Sequence, residues 1–474
     1  MALPAVAADR FDPVRALIRK ELGEKGAPSI AVAVARHGKI LWEEGFGWAD
    51  RENRIPANEH TVYSLASVSK PITATGLMVL KERGRIDLDR PVNGYLGDSK
   101  LRARAGGEAT VRQVANHSSG LPLHYQFFYE DEPYRPPPMD ETIRRYGNLI
   151  TPPGERYQYS NLGYGVLDYV IARASGKTYE DFLRDGVFQP LGMTRSSVGL
   201  RQEKHNAVRY GADGLPIPFY DFDHRGGSAV WASAHDLVRF GMFHVKARLA
   251  GQKAILSDAA IDEMQKPTAW QRKGSGYGVG WSVEENLKYR MVSHTGGMGG
   301  VSTSLALIPS EKIAVAVLCN ASTPLPHRIR REIVRLLLPS QNEPAEERRT
   351  KPVFRPPKEL AGAWSGAVQT FKGELPFTLD IRESGDARVQ LGKGQETLLG
   401  DPVWREGRLE GRLSGDIGTE DANRRPYFLS VTLYLRGPVL NGAMTAHSLP
   451  GRRVGNALTH WVELRKQRGA ATSR

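Results

Sequence analysis

The chain has 474 residues, 40% hydrophobic and 25% charged, the composition of an ordinary folded protein with room for more than one core. The formal charge of +13 does not point to nucleic acid, because the basic residues are scattered and no zinc-finger spacing or RNA-binding aromatic motif occurs. No apolar run approaches the roughly 18–20 residues of a membrane span, and the single Cys319 rules out an intramolecular disulfide.

In chain order, Met1 to Asp9 lacks a basic start, but Ala5-Val6-Ala7 is like the small-residue end of an export signal. Periplasmic or secreted location is therefore expected ahead of cytoplasmic. Ser29 to Ala35 and Ile40 to Trp48 read as two strands joined by a turn at Arg36-His37-Gly38-Lys39. An apolar helix follows, with Pro71 near its start, Ile72, Ala74, Leu77, Met78 and Leu80 within it, and Gly84 at its end. From about residue 85 to 285 the pattern is mainly helical, with Pro- and Gly-rich connections. Tyr289 to Ser293, Ser302 to Ile308 and Lys312 to Asn320 read as three strands, the last holding Cys319 as a core thiol. Next comes an amphipathic helix with Arg328, Arg330, Arg331 and Arg335 on its solvated face, ending near Leu338. Strands at both ends with helices between them predict an α+β unit, an antiparallel sheet flanked by helices and carrying a helical insertion.

Residues 339–358 have linker composition, including Glu346-Glu347-Arg348-Arg349 and Arg355-Pro356-Pro357. Beyond them, 359–474 holds short alternating strands between Gly turns, at Trp364, Phe377 to Ile381, Arg388 to Leu391, Arg408 to Gly411, Phe428 to Leu435 and His460 to Leu464. A small all-β barrel or sandwich is expected there, so the division is 1–338, linker, 359–474.

The chemistry begins at Ser67 and Lys70, three residues apart where a strand-like approach gives way to the apolar helix. Positions i and i+3 share a helix face, so the amine can sit against the hydroxyl. A hydroxyl needs such a base to become a nucleophile, and a Lys in a partly dry cleft can serve as one. The helix start also offers backbone N–H groups to an oxyanion. A Ser-x-x-Lys pair is by itself common, and its weight comes from two further stretches. Tyr157-Gln158-Tyr159-Ser160-Asn161 precedes a helix from Tyr164 to Ala174. A Lys ammonium near Tyr159 would lower the phenol pKa and suit it to relay protons, while Asn161 can donate to Lys70 or to a substrate carbonyl. In Ser293-His294-Thr295-Gly296-Gly297 a strand ends in small residues that let a substrate approach the backbone.

These stretches resemble the penicillin-recognising serine hydrolase family, in its class C β-lactamase-like branch. Ser67-Val68-Ser69-Lys70 stands for the Ser-x-x-Lys element, Tyr159-Ser160-Asn161 for Tyr-x-Asn, and His294-Thr295-Gly296 for Lys-Thr-Gly. The resemblance runs through Asn116-His117-Ser118-Ser119-Gly120-Leu121-Pro122 and Gly226-Gly227-Ser228, over roughly residues 10 to 338. It implies a β-lactamase-like fold, Ser67 as acylated nucleophile, and Lys70 with Tyr159 as the proton-handling pair. The N–H groups of Ser67 and Gly297 would form an oxyanion hole, with no metal or organic cofactor.

His294 departs from the pattern. A Lys there would be permanently charged, whereas a His of ordinary pKa, about 6.5, is largely neutral at pH 7. Recognition of a β-lactam carboxylate should weaken, and changing His294 to Lys is expected to move the acid limb of the rate profile. This favours the branch that resembles family VIII carboxylesterases and D-aminopeptidases, some of which carry lipocalin-like C-terminal barrels. The expected function is hydrolysis of a small ester or amide through acyl-Ser67. The alternatives are a D-aminopeptidase or D-amino-acid amidase, with Asp221, Asp223 or Glu284 as amine receptor, a β-lactamase, and an inactive binding protein. Oligomeric state and the acyl and leaving groups are left open.

Overall fold

The computed structural model describes residues 9–25, 27–199, 206–341, 354–451 and 453–467. The signal-like residues 1–8 and 342–353 of the linker lie outside them. Ser29–Arg36, Ile313–Cys319 and Val301–Ile308 are buried almost throughout and form the middle of an antiparallel sheet. Alternation gives each face its own partner. Ile30, Val32, Val34, Val315 and Val317 pack with Phe11, Val14, Ile18, Ile329 and Ile333 from the terminal helices Asp12–Lys25 and Leu325–Leu337. Each of these side chains contributes about 1.5–3 kcal/mol on burial.

The opposite face carries Ala31, Ala33, Ala35, Ala314 and Ala316. Small residues there let the helix Ala234–His244 approach closely: a Cβ on Gly241 would lie 2.8 Å from the Ala314 Cβ. Among the described residues the sheet has nine strands, in the order Ile55–Pro56, Lys39–Asp50, Ser29–Arg36, Ile313–Cys319, Val301–Ile308, Met291–Met298, Ser282–Glu284, Ser275–Tyr277, Ala269–Arg272. The helical insertion sits between its second and third long strands in sequence, and its last residues return to the sheet as the three short edge strands.

The strand expected over 289–293 is instead Met291–Met298, running on through His294 and both glycines. The register His294↔Leu305, Gly296↔Thr303 and Gly297↔Ser302 holds it in the sheet where composition alone predicted an end.

The C-terminal residues form a second sheet, also of nine strands among the described residues. Its edge strands, Thr397–Leu398 and Gly400–Arg405, are separated only by Leu399, so the sheet bends round into a nearly closed barrel. Trp364, Phe377, Val389, Leu409, Val431, Leu433, Met444 and Val462 fill its interior. Val439–Ser448 and Gly400–Arg405 were not expected as strands, since neither shows clean alternation. Both are held by neighbours, Tyr427–Arg436 with Ala457–Lys466 and Arg408–Leu413 respectively. The barrel docks through the Tyr125–Ala457 bridge, Asn456 accepting the Phe127 N–H at 2.9 Å, and Arg425 and Arg453 on Glu132. Arg436 reaches both oxygens of Glu155, in the loop that leads to Tyr159.

Candidate active site

Ser67 stands on a short 3-10 turn, Ala66–Val68, that runs directly into the helix Ser69–Glu82. Ala66 holds φ +48, uncommon for a residue with a Cβ, and lifts Ser67 out of the preceding strand. The turn is pinned to the sheet by Thr303, whose hydroxyl donates to the Leu65 carbonyl at 2.8 Å. Lys70, one turn on, is fully buried. Its Nζ lies 3.1 Å from Ser67 Oγ, 2.8 Å from Asn161 Oδ1 and 2.9 Å from the Gly227 carbonyl.

Burial pushes the Lys70 pKa well below the ordinary lysine value. A neutral amine has two N–H bonds and one lone pair. Asn161 Oδ1 and the Gly227 carbonyl can only accept, so Lys70 donates to both, and in its neutral form the lone pair is left for the Ser67 hydroxyl. Asn161 thus accepts from Lys70, the reverse of the donation expected from the sequence. Gly227 was not singled out beyond its place in the resemblance; a Cβ there would come within 3.5 Å of Nζ.

Ser160 caps the helix Asn161–Ser175, its Oγ accepting the Gly163 N–H at 3.1 Å, and so delivers Tyr159 and Asn161 to the same point. The Tyr159 hydroxyl is turned toward Ser67, and its ring lies 4.8 Å from Lys70 Nζ. Burial raises the Tyr159 pKa, partly opposed by the neighbouring Ser67 hydroxyl. The lowering expected from a Lys ammonium is overturned, because burial of the phenol itself governs its pKa and moves it the other way.

His294 is also buried, and its Nδ1 donates to the Thr295 carbonyl at 2.8 Å. Its Nε2 is therefore the acceptor, facing the Tyr277 hydroxyl at 2.9 Å. Burial first, then nearby Lys70, pushes its pKa down to about 3. The ordinary value assumed from the sequence does not hold, and the ring is neutral across the working range. It meets Tyr277 rather than Tyr159.

Gly296 packs where a Cβ would strike the Leu65 carbonyl at 2.2 Å, which brings this strand against the Ser67 turn. Gly297 next to it is exposed, with no atom within 4 Å of a Cβ position. Beyond the Ser293↔Ser282 pair the short strand Ser282–Glu284 no longer borders this edge, leaving 294–298 paired on the Val301–Ile308 side.

Sequence reasoning missed Tyr277, Tyr164 and Tyr157 and gave His117 no role. The four rings cluster: His117 lies 4.7 Å from Tyr277, 5.3 Å from Tyr164 and 5.8 Å from Tyr157. Tyr277 sits in Gly276-Tyr277-Gly278-Val279-Gly280-Trp281, whose glycine density was the available signal; a Cβ on Gly280 would lie 2.5 Å from the Ala74 Cβ. The three acids considered as amine receptors are engaged elsewhere. Asp223 is buried between His124 at 2.6 Å and His224 at 2.7 Å. Asp221 faces Arg225 at 3.7 Å, and Glu284 accepts from Ser275 at 2.6 Å. Among the described residues, no three His, Cys, Asp or Glu side chains group as metal ligands, and no helix is long and apolar enough to cross a membrane.

Residues 14–339 match the model of the family described as Beta-lactamase. A penicillin-binding protein of Bacillus subtilis (strain 168) is 29% identical over 333 residues, covering 63% of this chain and 69% of that protein. The octameric penicillin-binding protein homologue from Pyrococcus abyssi superposes with TM-score 0.61 at 24% identity, over 94% of this chain and 99% of that one, and so includes the barrel. EstCE1, described as a hydrolase with promiscuous acyltransferase activity, superposes with TM-score 0.60 at 21% identity over 68% of this chain and 98% of its own. At these identities the two structural matches are likenesses of fold.

Proposed function

The chain belongs to the beta-lactamase family, whose members are serine hydrolases, and from that premise we propose that it hydrolyses esters of uncharged carboxylic acids through an acyl-Ser67 intermediate. The observation that carries this reading is the buried Lys70 amine, its pKa pushed down by burial and its Nζ held among Asn161, the Gly227 carbonyl and the Ser67 hydroxyl.

The Ser67 proton passes to Lys70, directly or through Tyr159, as Oγ bonds to the ester carbonyl carbon. The carbonyl oxygen, now an anion, is received by the N–H groups of Ser67 and Gly297, a pair of donors of the kind that contributes a few kcal/mol, on the order of 3, to a transition state. Collapse breaks the bond to the leaving alkoxide, which takes the proton back from Tyr159 and Lys70. Water, deprotonated by the same pair, then attacks the acyl carbon and releases the acid and Ser67.

An uncharged acyl group is favoured because His294 is neutral and offers no fixed cation to a β-lactam carboxylate. The amidase reading is weaker because Asp221, Asp223 and Glu284 already have protein partners. A non-catalytic role is disfavoured because an amine without an anionic partner is costly to bury unless its basicity is used.

Hydrolysis of p-nitrophenyl butyrate, D-alanine amide and nitrocefin, measured side by side, tests the reading. Ester turnover at least about tenfold above the other two is expected, with Ser67→Ala lowering it by roughly 10⁴-fold or more. Ester turnover undiminished in Ser67→Ala would sink the proposal, and nitrocefin or amide as the better substrate would reassign it.

A further inference from the structure

His117 takes no part in the chemistry above, yet it holds the residue on either side of Tyr159 and lies against the Tyr159 ring. Its carbonyl accepts the Gln158 N–H at 2.6 Å, and its Nδ1 accepts the Ser160 N–H at 3.2 Å. The ring then lies 4.3 Å from the Tyr159 ring. The peptide N–H on either side of Tyr159 is thus held by one residue, whose side chain also covers the phenol.

Two costs accompany this arrangement. The His117 backbone is left-handed, φ +63, which disfavours a residue with a Cβ by about 1–2 kcal/mol. Because a backbone N–H can only donate, Nδ1 is the acceptor and the neutral ring carries its proton on Nε2. That Nε2 is buried and finds no hydrogen-bond partner among the described residues. A histidine kept only for packing would be expected to satisfy its buried N–H and relax its backbone. Strained backbone with an unsatisfied polar group collects at functional sites. Burial first, then Lys70 and His294, holds its pKa far below the ordinary value, so the Nδ1 lone pair stays free for Ser160.

Building on the acyl-Ser67 reading, we propose that His117 is a positioning residue: by gripping the peptide N–H on each side of Tyr159 and covering its ring, it fixes the Tyr159 hydroxyl at Ser67. The neighbouring Asn116 and Ser118 have another task, closing the same turn on themselves through Asn116 Oδ1 at 2.7 Å from Ser118 Oγ.

The test is a double-mutant cycle on ester hydrolysis. Asn and Gly both accept a left-handed backbone readily, so neither strains the turn. His117→Asn keeps an acceptor where Nδ1 stands and loses the ring; His117→Gly loses both. The expected order of kcat is wild type, then Asn at about threefold lower, then Gly at roughly 10–100-fold lower, with KM within about twofold throughout. In a Tyr159→Phe background both His117 substitutions should cost less than about twofold, since the group they position is gone. Equal losses in both backgrounds, or a change in KM alone, would overturn the proposal. Should His117→Gly fail to fold by circular dichroism, the His117→Asn cycle decides alone, by whether its kcat loss disappears with Tyr159→Phe. Fluorophosphonate labelling of Ser67 in the wild type separates the two readings. A labelled, active wild type without coupling removes only the role of His117. A wild type that neither labels nor hydrolyses removes the premise and this inference together.

Discussion

Lys70 and His294 are both nitrogen bases buried in one site, and they are held in opposite ways. Lys70 meets three oxygens, two of which can only accept, so its remaining lone pair is directed at Ser67. His294 has both ring nitrogens occupied, one on the Thr295 carbonyl and one on the Tyr277 hydroxyl. Burial pushes the pKa of both down. Desolvation sets the protonation state, while the arrangement of acceptors decides which base is free to take a proton.

The sharpest way to break this contrast is to remove each nitrogen in turn. Lys70→Met is expected to lower kcat for ester hydrolysis by about 10³-fold, the loss of a general base. His294→Gln should cost less than about tenfold, the scale of one hydrogen bond. The pH profile sharpens it further. In the proposed mechanism neutral Lys70 is the active form, so the rate should rise with pH through the folded Lys70 pKa and fall below it. With His294 pushed down to about 3, that acid limb should not move in His294→Gln, and a moved limb would return His294 to the titrating role expected from the sequence.

A third buried group extends the comparison to stability. Asp168 accepts the Gly226 N–H at 2.6 Å, next to the Gly227 carbonyl that holds Lys70. Burial, partly offset by that bond, raises its pKa to about 7. The folded state therefore binds this proton more tightly than the unfolded chain, a contribution present at acid pH and lost as pH rises through about 7. Asp168→Asn keeps the acceptor and removes the charge. Its stability relative to wild type should improve by roughly 2–4 kcal/mol from pH 5 to pH 8, measured by thermal unfolding. No change with pH would mean that burial does not govern this group.

The smallest effect is expected where a charge is exposed. Arg436 of the barrel pairs with Glu155, with 32% and 26% of their side chains exposed. Arg436→Ala should change stability by about 0–1 kcal/mol and kcat by less than about threefold. A larger kcat loss, seen in the same ester assay, would show that the barrel steers the loop carrying Tyr159.

Much of this molecule was legible in the chain itself. The alternation in Ser29 to Ala35 and in Ile313 to Cys319 marked central strands, because each face of the sheet has its own apolar partner. Ser67 and Lys70 were legible because the contact between them is local, one helical turn. Tyr277 was not, since its meaning lies in His294 seventeen residues away and in Tyr164 across the core. The strand beyond Ser293 was misjudged for a related reason. Glycines weaken a strand on their own, and only pairing with Thr303 and Ser302 shows that they extend it.

Spacing and residue type were enough to bring out the family resemblance and to single out Ser67 and Lys70, one turn apart, as candidates, all properties of short stretches of chain. Protonation states were beyond their reach. Desolvation depends on every atom around a group, and those atoms come from distant segments: Asn161 and Gly227 for Lys70, Tyr277 for His294, His117 for Tyr159. The sequence offered a lysine able to act as a base, a tyrosine with a lowered pKa and a histidine of ordinary pKa. Packing shifts all three toward the uncharged form, because a charge without a partner is too costly to keep in a dry interior.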